Sequence, residues 1–164
     1  MTRKRQRTIQ WDNPLVAAAA AKTICGLDFL RAIRDGDYPP PPIAQTLDFA
    51  LQEVEDGMVV FKCEAAEFHY NPIGSMHGGV MATLCDSAMG CAVHTTLPKG
   101  KGYSTVELKV NLLRPIFSQT GRLRCTGTVI HAGRRIATAE AKLTDDVDKL
   151  YAHATTTCLL FDMV

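Results

Sequence analysis

The chain has 164 residues, of which 46% are hydrophobic and 21% are charged. These values fit a single folded domain and exclude a disordered or collagen-like chain. The 18 Lys and Arg residues nearly balance the 17 Asp and Glu residues, and the formal net charge is +1. Such a balance gives no general attraction to nucleic acid or to membranes, so we expect neither as a partner.

The first residues are basic, with Arg3, Lys4, Arg5 and Arg7 close together. We interpret this segment as a disordered leader, and contact with nucleic acid or membrane is the alternative. No stretch approaches the ~18 apolar residues that a membrane-spanning helix needs. The six cysteines form no CxxC pair and most lie in apolar runs, which indicates buried free thiols in a reducing compartment. We therefore expect a cytoplasmic protein.

A helical extension follows the basic leader. Asn13 and Pro14 form a helix start, because Asn caps helices well and Pro fits the first helical position. A second helical segment ends at Gly36, and the four prolines at 39–42 predict an extended spacer. We assign residues 1–43 to a basic tail with a helical extension, and residues 44–164 to the main domain.

The main domain opens with a hairpin and continues with one long helix. Strands are predicted at Thr46–Glu55 and Met58–Ala65, on either side of an Asp-Gly turn. The segment Gly78–Leu97 has apolar residues at helical intervals and a single charged residue, so it predicts a helix buried on most sides. The remaining segments predict strands at Ser104–Leu113, Gly121–His131, Arg135–Thr144 and Leu150–Leu160.

This order of elements favours an α+β fold in which an antiparallel sheet curls around the long helix. Strict alternation of strands and helices is absent, which argues against a doubly wound parallel sheet. No P-loop, no GxGxxG and no GxSxG motif is present, so we expect no cofactor and no α/β-hydrolase chemistry. The histidines lack metal-ligand spacing, and we expect no metal.

Asp86 is the one charged residue of the long apolar helix. An ionised carboxylate is unfavourable in such surroundings unless it is paired or hydrogen-bonded. A general base at neutral pH fits this position, and a wet edge or a backbone hydrogen bond is the alternative.

The start of the same helix is a candidate oxyanion site. His77, Gly78 and Gly79 follow an irregular turn, and the first N–H groups of a helix have no partner within the helix. The two glycines allow close approach to the backbone, where a developing negative charge is stabilised. Asp86 lies eight residues after Gly78, about 12 Å along a helix, which is too far for one reacting atom. The spacing therefore hints at a site shared between two subunits.

Several short patterns together resemble the PaaI-like hotdog acyl-CoA thioesterases. The first is Asn71-x-x-Gly74-x-x-His77-Gly78-Gly79, followed by Ala82-Thr83-Leu84-x-Asp86. The others are Thr105-Val106-Glu107-Leu108-x-Val110-Asn111-x-x-Arg114-Pro115 and Gly133-Arg134-Arg135. The resemblance covers roughly residues 44–160.

The resemblance implies a hotdog fold, a homodimer with two sites at its interface, a pairing of dimers into a tetramer, and hydrolysis of an acyl-CoA thioester. Asp86 matches the catalytic carboxylate of the family, as a general base or as a nucleophile. The N–H of Gly78 matches the oxyanion donor, and Asn71 matches the group that holds the carbonyl or the water. His77 shapes the turn, and Thr105 matches a hydroxyl that orients the water.

The resemblance also implies substrate-binding positions at Gly79, Arg134 and Arg135, the last two at the CoA phosphates. Each position has a structural alternative: turn formation for Asn71, capping for His77, and solvent exposure for Thr105 and the two arginines. The functional alternatives are an acyl-CoA binding module and a hotdog hydratase or dehydratase. The acyl group stays open between aromatic groups, such as phenylacetyl, and aliphatic chains.

Overall fold

A computed structural model describes residues 4–163 of the chain. Three helices form the N-terminal extension: α1 at Pro14–Ala21, α2 at Gly26–Asp35 and α3 at Pro42–Leu47. The Asn13 side chain accepts a hydrogen bond from the N–H of Leu15 and so caps α1, as expected from its type. Gly36 ends α2 in the left-handed conformation, with φ of 89°. Both predicted helices are confirmed.

Helix α3 corrects two predictions. The expected extended spacer ends one residue early, because Pro42 is the first residue of a helix, where its missing N–H leaves no helical bond unmade. The strand predicted from Thr46 begins instead at Phe49, after the left-handed Asp48. Short proline-led helices carry a weak sequence signal, since six residues span fewer than two turns.

Six antiparallel strands form one sheet in the order β1-β2-β4-β5-β6-β3. The first two strands make the predicted hairpin, and Gly57 occupies its turn with φ of 73°. Among the described strands, β3 pairs with β6 alone and therefore forms one edge of the sheet. The strands are β1 Phe49–Glu55, β2 Met58–Glu64, β3 Lys101–Leu112, β4 Arg122–Ala132, β5 Ile136–Asp145 and β6 Leu150–Asp162.

Helix α4, at Gly78–Thr95, lies against the inner face of this sheet. Its small residues allow close contact: a Cβ atom at Gly127 of β4 would lie 2.3 Å from the backbone of Ala88. Leu84, Cys85 and Met89 of the helix are fully enclosed in the core. The predicted α+β architecture, an antiparallel sheet around a long helix, is confirmed.

Arg7 of the basic leader is held against the main domain, so the interpretation of this segment as disordered is wrong for this residue. The Arg7 guanidinium donates hydrogen bonds to the carbonyls of Thr46 and Gln45, at 2.7 and 3.0 Å. It also lies 4.1 Å from the centre of the Phe68 ring, a cation–π distance. Arg3 lies outside the described residues.

The six cysteines are free thiols, and four of them are buried: Cys63, Cys85, Cys125 and Cys158. Within residues 4–163, no group of three or more His, Cys, Asp or Glu side chains is arranged to hold a metal ion. In the same part of the chain, none of the helices combines the length and hydropathy of a membrane-spanning segment.

Candidate active site

Asp86 and Thr105 are in direct contact. The Thr105 hydroxyl donates a hydrogen bond of 2.9 Å to the Asp86 carboxylate, and both side chains are half-buried between α4 and β3. Hydrogen bonds to a charged acceptor are stronger than neutral ones, so this contact fixes one carboxylate oxygen. The second oxygen has no hydrogen-bond donor among residues 4–163.

A β-bulge decides where Thr105 points. The pairing of β3 with β6 shifts between Thr105 and Glu107, so Val106 is the extra residue and is 58% exposed. Before the bulge Thr105 pairs with the buried Cys158, whereas after it Glu107 pairs with Thr157 on the outer face. Bulges redirect side chains in this way. Thr105 therefore faces the helix. Strict alternation along the sequence would instead have placed it on the same polar face of the strand as Glu107.

Asn71 holds the turn before α4 with both ends of its side-chain amide. Its oxygen accepts hydrogen bonds from the N–H groups of Ile73 and Ser75, at 3.0 and 3.2 Å. Its nitrogen donates to the Ser75 hydroxyl at 3.1 Å. The turn function that Asn before Pro suggests is therefore present.

His77 caps α4 and distinguishes the two glycines that follow it. Its Nδ1 atom accepts a hydrogen bond of 2.9 Å from the N–H of Gly79, so this N–H is already engaged within the protein. The N–H of Gly78, by contrast, has no acceptor among residues 4–163. Of the two glycines at the helix start, Gly78 is therefore the one with an unpaired N–H, and it is the residue that the sequence analysis proposed as the oxyanion donor.

His69 stabilises this turn through its backbone, a role that no sequence pattern indicated. The side chain is 2% exposed, with one ring nitrogen 2.8 Å from the carbonyl of Leu47 and the other accepting from the N–H of Ala66. Its own carbonyl accepts a 2.8 Å hydrogen bond from the N–H of His77. Burial lowers the pKa of His69, so the neutral ring is favoured.

Asn71 and Gly78 line one groove of about 260 Å³ at the start of α4. Its far wall is the end of β3, where Leu112 would be 2.6 Å from a Cβ atom at position 78. Arg114 also lines this groove, although the sequence suggested only a strand end there. Asp86 does not line it, in keeping with the about 12 Å of helix between the two positions.

Arg134 and Arg135 lie away from this groove. Both are exposed in the turn between β4 and β5. The carbonyl of Arg135 accepts a 2.8 Å hydrogen bond from the N–H of Leu160, which secures the turn. The predicted residues therefore fall into three places: the groove with Asn71 and Gly78, the Asp86–Thr105 pair, and this turn.

Comparison with known proteins gives the family. Residues 73–152 match the family model of the thioesterase superfamily. The crystal structure of a phenylacetic acid degradation-related protein from Ralstonia eutropha JMP134 is similar, with a TM-score of 0.72 and 30% identity over 79% of this chain and 98% of that one. The chain belongs to the thioesterase superfamily. Its resemblance to the PaaI-like hotdog thioesterases is thereby confirmed.

Two similar proteins act on or bind CoA compounds. A 1,4-dihydroxy-2-naphthoyl-CoA hydrolase from Listeria monocytogenes is 28% identical over 108 residues, which are 66% of this chain and 86% of that protein. A Streptococcus mutans protein with bound acetyl-CoA has a TM-score of 0.64 and 27% identity over 70% of this chain and 90% of that one. This thioesterase is accordingly an enzyme that hydrolyses thioesters.

Proposed function

We propose that the protein hydrolyses an acyl-CoA thioester to a free carboxylic acid and CoA, at sites shared between the two protomers of a homodimer. Asp86 acts as the general base or as the nucleophile, and the Gly78 N–H of the partner chain is the oxyanion donor. The observation that carries the proposal is the Thr105–Asp86 hydrogen bond, since it orients a carboxylate in the middle of an apolar helix.

The free edge of the sheet supports a dimer. Strand β3 is 12 residues long, and within residues 4–163 it pairs on one side only, so its other side has backbone groups that no described strand pairs with. Leu108 and Leu112 on this strand are 37% and 53% exposed. Pairing with a second copy through a two-fold axis would cover the edge and bring two α4 helices side by side. A further pairing of dimers is part of the proposal.

In the general-base form of the reaction, the Asp86 carboxylate accepts a proton from a water molecule. The water oxygen attacks the thioester carbon, and the carbonyl oxygen gains negative charge. The Gly78 N–H at the positive end of α4 stabilises that charge. Collapse breaks the C–S bond, and the proton on Asp86 passes to the departing CoA thiolate. In the nucleophilic form the Asp86 carboxylate attacks the thioester carbon, the C–S bond breaks and the CoA thiolate departs. Water then cleaves the resulting anhydride, which gives the free carboxylic acid and restores Asp86.

The remaining residues take supporting roles in this proposal. Asn71 and His77 position the turn and the helix start, because their polar side-chain atoms are engaged there. Thr105 holds one oxygen of Asp86 and leaves the other for water. Gly79 permits close approach of the substrate, and Arg134 and Arg135 offer exposed positive charge to the CoA phosphates.

A free-thiol assay over a panel of acyl-CoA esters tests the proposal. We expect Asp86→Asn to lower kcat about 10²–10⁴-fold with little change in Tm, because the shape is kept and the base is lost. Asp146→Asn, in an exposed turn, is the control and should leave kcat unchanged. Unaltered thiol release by Asp86→Asn contradicts the proposal. Ligand-dependent stabilisation without thiol release would instead indicate a binding module.

Mixed dimers test the shared site. Gly78→Pro removes the donor N–H, and the first position of a helix tolerates proline. The end of the Leu112 side chain, 2.6 Å from a Cβ atom at this position, must move to make room for the ring. Asp86→Asn and Gly78→Pro are each expected to be nearly inactive. Unfolding and refolding them together should restore about a quarter of wild-type activity, because half of the dimers are mixed and each has one intact site. A mixture as inactive as its components would place both groups in one protomer.

A further inference from the structure

Helix α3 ends in carbonyl groups that are bound by two side chains from other parts of the chain. The last four carbonyls of a helix have no partner within that helix. In α3, the carbonyls of Gln45 and Thr46 accept hydrogen bonds from the Arg7 guanidinium. The next carbonyl, on Leu47, accepts from the His69 ring. The basic leader and the turn before α4 are therefore joined through one helix end, which we call the Arg7–α3–His69 cluster.

Arg7 is held on several sides, although it belongs to a leader segment on the surface. Its two hydrogen bonds to α3, at 2.7 and 3.0 Å, use the fork of the guanidinium. The same group lies 3.7 Å from the Asp48 carboxylate and 4.1 Å from the centre of the Phe68 ring. The Phe68 ring also packs on the His69 ring, with the ring centres 4.2 Å apart. Arg7 thus contacts both α3 and the segment that carries His69.

The surroundings of the His69 ring determine which nitrogen carries its proton. The Nε2 atom lies 2.8 Å from the Leu47 carbonyl, which can only accept, so Nε2 is the donor. The Nδ1 atom accepts a 3.3 Å hydrogen bond from the N–H of Ala66. Burial is the main cause of the lowered pKa of His69; Arg7 lowers this pKa further and Asp48 opposes the change. The neutral ring therefore connects α3 to the turn that follows Ala66.

The backbone of His69 continues this connection to the start of α4. Its carbonyl accepts a 2.8 Å hydrogen bond from the N–H of His77, the residue directly before Gly78. Tyr70 and Met76 form an antiparallel bridge beside this bond. The Gly78 N–H belongs to the planar peptide unit that follows His77, so a displacement of His77 changes the direction of this donor.

We propose that Arg7 and His69 are positioning residues of the active site, which hold the end of α3 against the turn before α4 and so fix the direction of the Gly78 N–H. The inference rests on the proposed function, which makes this N–H the oxyanion donor. Neither residue lines the groove at the start of α4. Both should therefore affect kcat and not KM, because an oxyanion donor acts on the charge that develops in the transition state.

Two variants of His69 separate its two hydrogen bonds. The side-chain amide of glutamine reaches the place of Nε2, so His69→Gln keeps the donor to Leu47, whereas the shorter side chain of His69→Asn reaches only the place of Nδ1. We expect kcat to fall about tenfold in His69→Asn at unchanged KM, since a displacement of ~1 Å costs up to ~10²-fold. His69→Gln should keep most of the wild-type kcat. Equal kcat values in the two variants overturn the inference.

Arg7 tests the cluster from the surface. Arg7→Gln should lower kcat about threefold to tenfold at unchanged KM. Arg31→Gln is the matched control, because the Arg31 guanidinium also binds a backbone carbonyl, that of Val54 at 3.2 Å, but joins α2 to β1; its kcat should equal that of wild type. The double variant of Arg7→Gln and His69→Asn should be no slower than the slower single variant, because both act through one helix end. Losses that multiply contradict the cluster.

Amide hydrogen exchange, followed by NMR, separates this inference from the proposed function. The His77 N–H should exchange about tenfold faster in His69→Asn and in Arg7→Gln than in wild type. The Met76 N–H, bonded at 2.8 Å to the Ile116 carbonyl, is the internal control and should exchange as in wild type. If no acyl-CoA ester is hydrolysed but the His77 exchange responds in this way, the proposed function fails and the cluster stands. If esters are hydrolysed and the His77 exchange is unaltered, the inference fails and the proposed function stands.

Discussion

The two ends of α4 differ in polarity and in enclosure. The first turn carries an unpaired backbone donor at Gly78 and borders an open groove. The last turn carries His94 and is covered by α1 and α2 in apolar packing. Asp86 lies between them, half-buried. One rigid helix therefore carries an unpaired backbone donor at one end and borders an enclosed apolar space at the other.

The largest effect is expected where the carboxylate is held. Thr105→Val keeps the side-chain shape and removes the hydroxyl, so kcat should fall about 10–100-fold, the usual worth of a hydrogen bond to a charged group. The loss should be the same for acetyl and arylacetyl substrates, because the carboxylate serves both. Steady-state kinetics on the two substrates measures it.

Two further threonine variants control that measurement. Thr105→Ser retains the donor and should keep most activity, and Thr157→Val, on the outer side of β6, should change nothing. Equal kcat values for Thr105→Val and wild type would show that the hydrogen bond to Asp86 has no part in catalysis.

At the covered end, Gly26→Ala should lower stability and leave turnover unchanged. The added methyl group collides with the carbonyl of His94, so α2 must shift, at a cost of about 1–3 kcal/mol in the free energy of unfolding. We expect an unchanged kcat, because the collision lies at the opposite end of α4 from Gly78. Urea unfolding and kinetics on the same preparations give both quantities.

Gly36→Ala is the matched control for this change. Position 36 has φ of 89° and open space around it, so alanine strains the backbone without a collision. Its stability should also fall while its kcat stays that of wild type. A kcat lowered in Gly26→Ala but not in Gly36→Ala would show that the covered end of α4 also influences the reacting groups.

The smallest expected effect is on the pH dependence of the free energy of unfolding. It concerns two buried histidines, His69 near the start of α4 and His94 in its last turn. Burial lowers the pKa of both His69 and His94 below the value near 6.5 of an unfolded chain. The unfolded state therefore binds more protons as the pH falls through about 6.5, and the free energy of unfolding falls with it. His94→Phe should make this fall shallower between about pH 7.5 and 5.5.

Urea unfolding at several pH values measures the slope in wild type and in His94→Phe. An identical slope in wild type and His94→Phe would show that His94 is as readily protonated in the folded state as in the unfolded chain.

The strands and the long helix could be predicted from the sequence because their signals are local. Alternating residues, the Asp56-Gly57 turn and a run without charge each act within a few positions. The short helix α3 was missed for the same reason, since a proline run indicates extended chain until packing makes Pro42 a helix start. Asp86 and Gly78 could also be identified from local features of the sequence. Asp86 is the one charged residue of an apolar helix, and Gly78 belongs to the pair of glycines at its beginning.

The direction of Thr105 and the surroundings of His94 could not be predicted in this way. Alternation placed Thr105 with the polar residues of β3, and one bulged residue, Val106, turned it toward the helix. From the sequence we noted of His94 only that it lacks metal-ligand spacing. The available signal was that it lies eight residues after Asp86, on the same row of the helix.

The amino-acid order by itself determined the three longer helices, the strands, the hairpin turn and the family motifs, because each depends on neighbours a few positions apart. The tertiary structure alone decided that Thr105 meets Asp86 and that α2 closes a cavity over His94. These contacts join residues 19 or more positions apart, and their geometry depends on how whole elements pack.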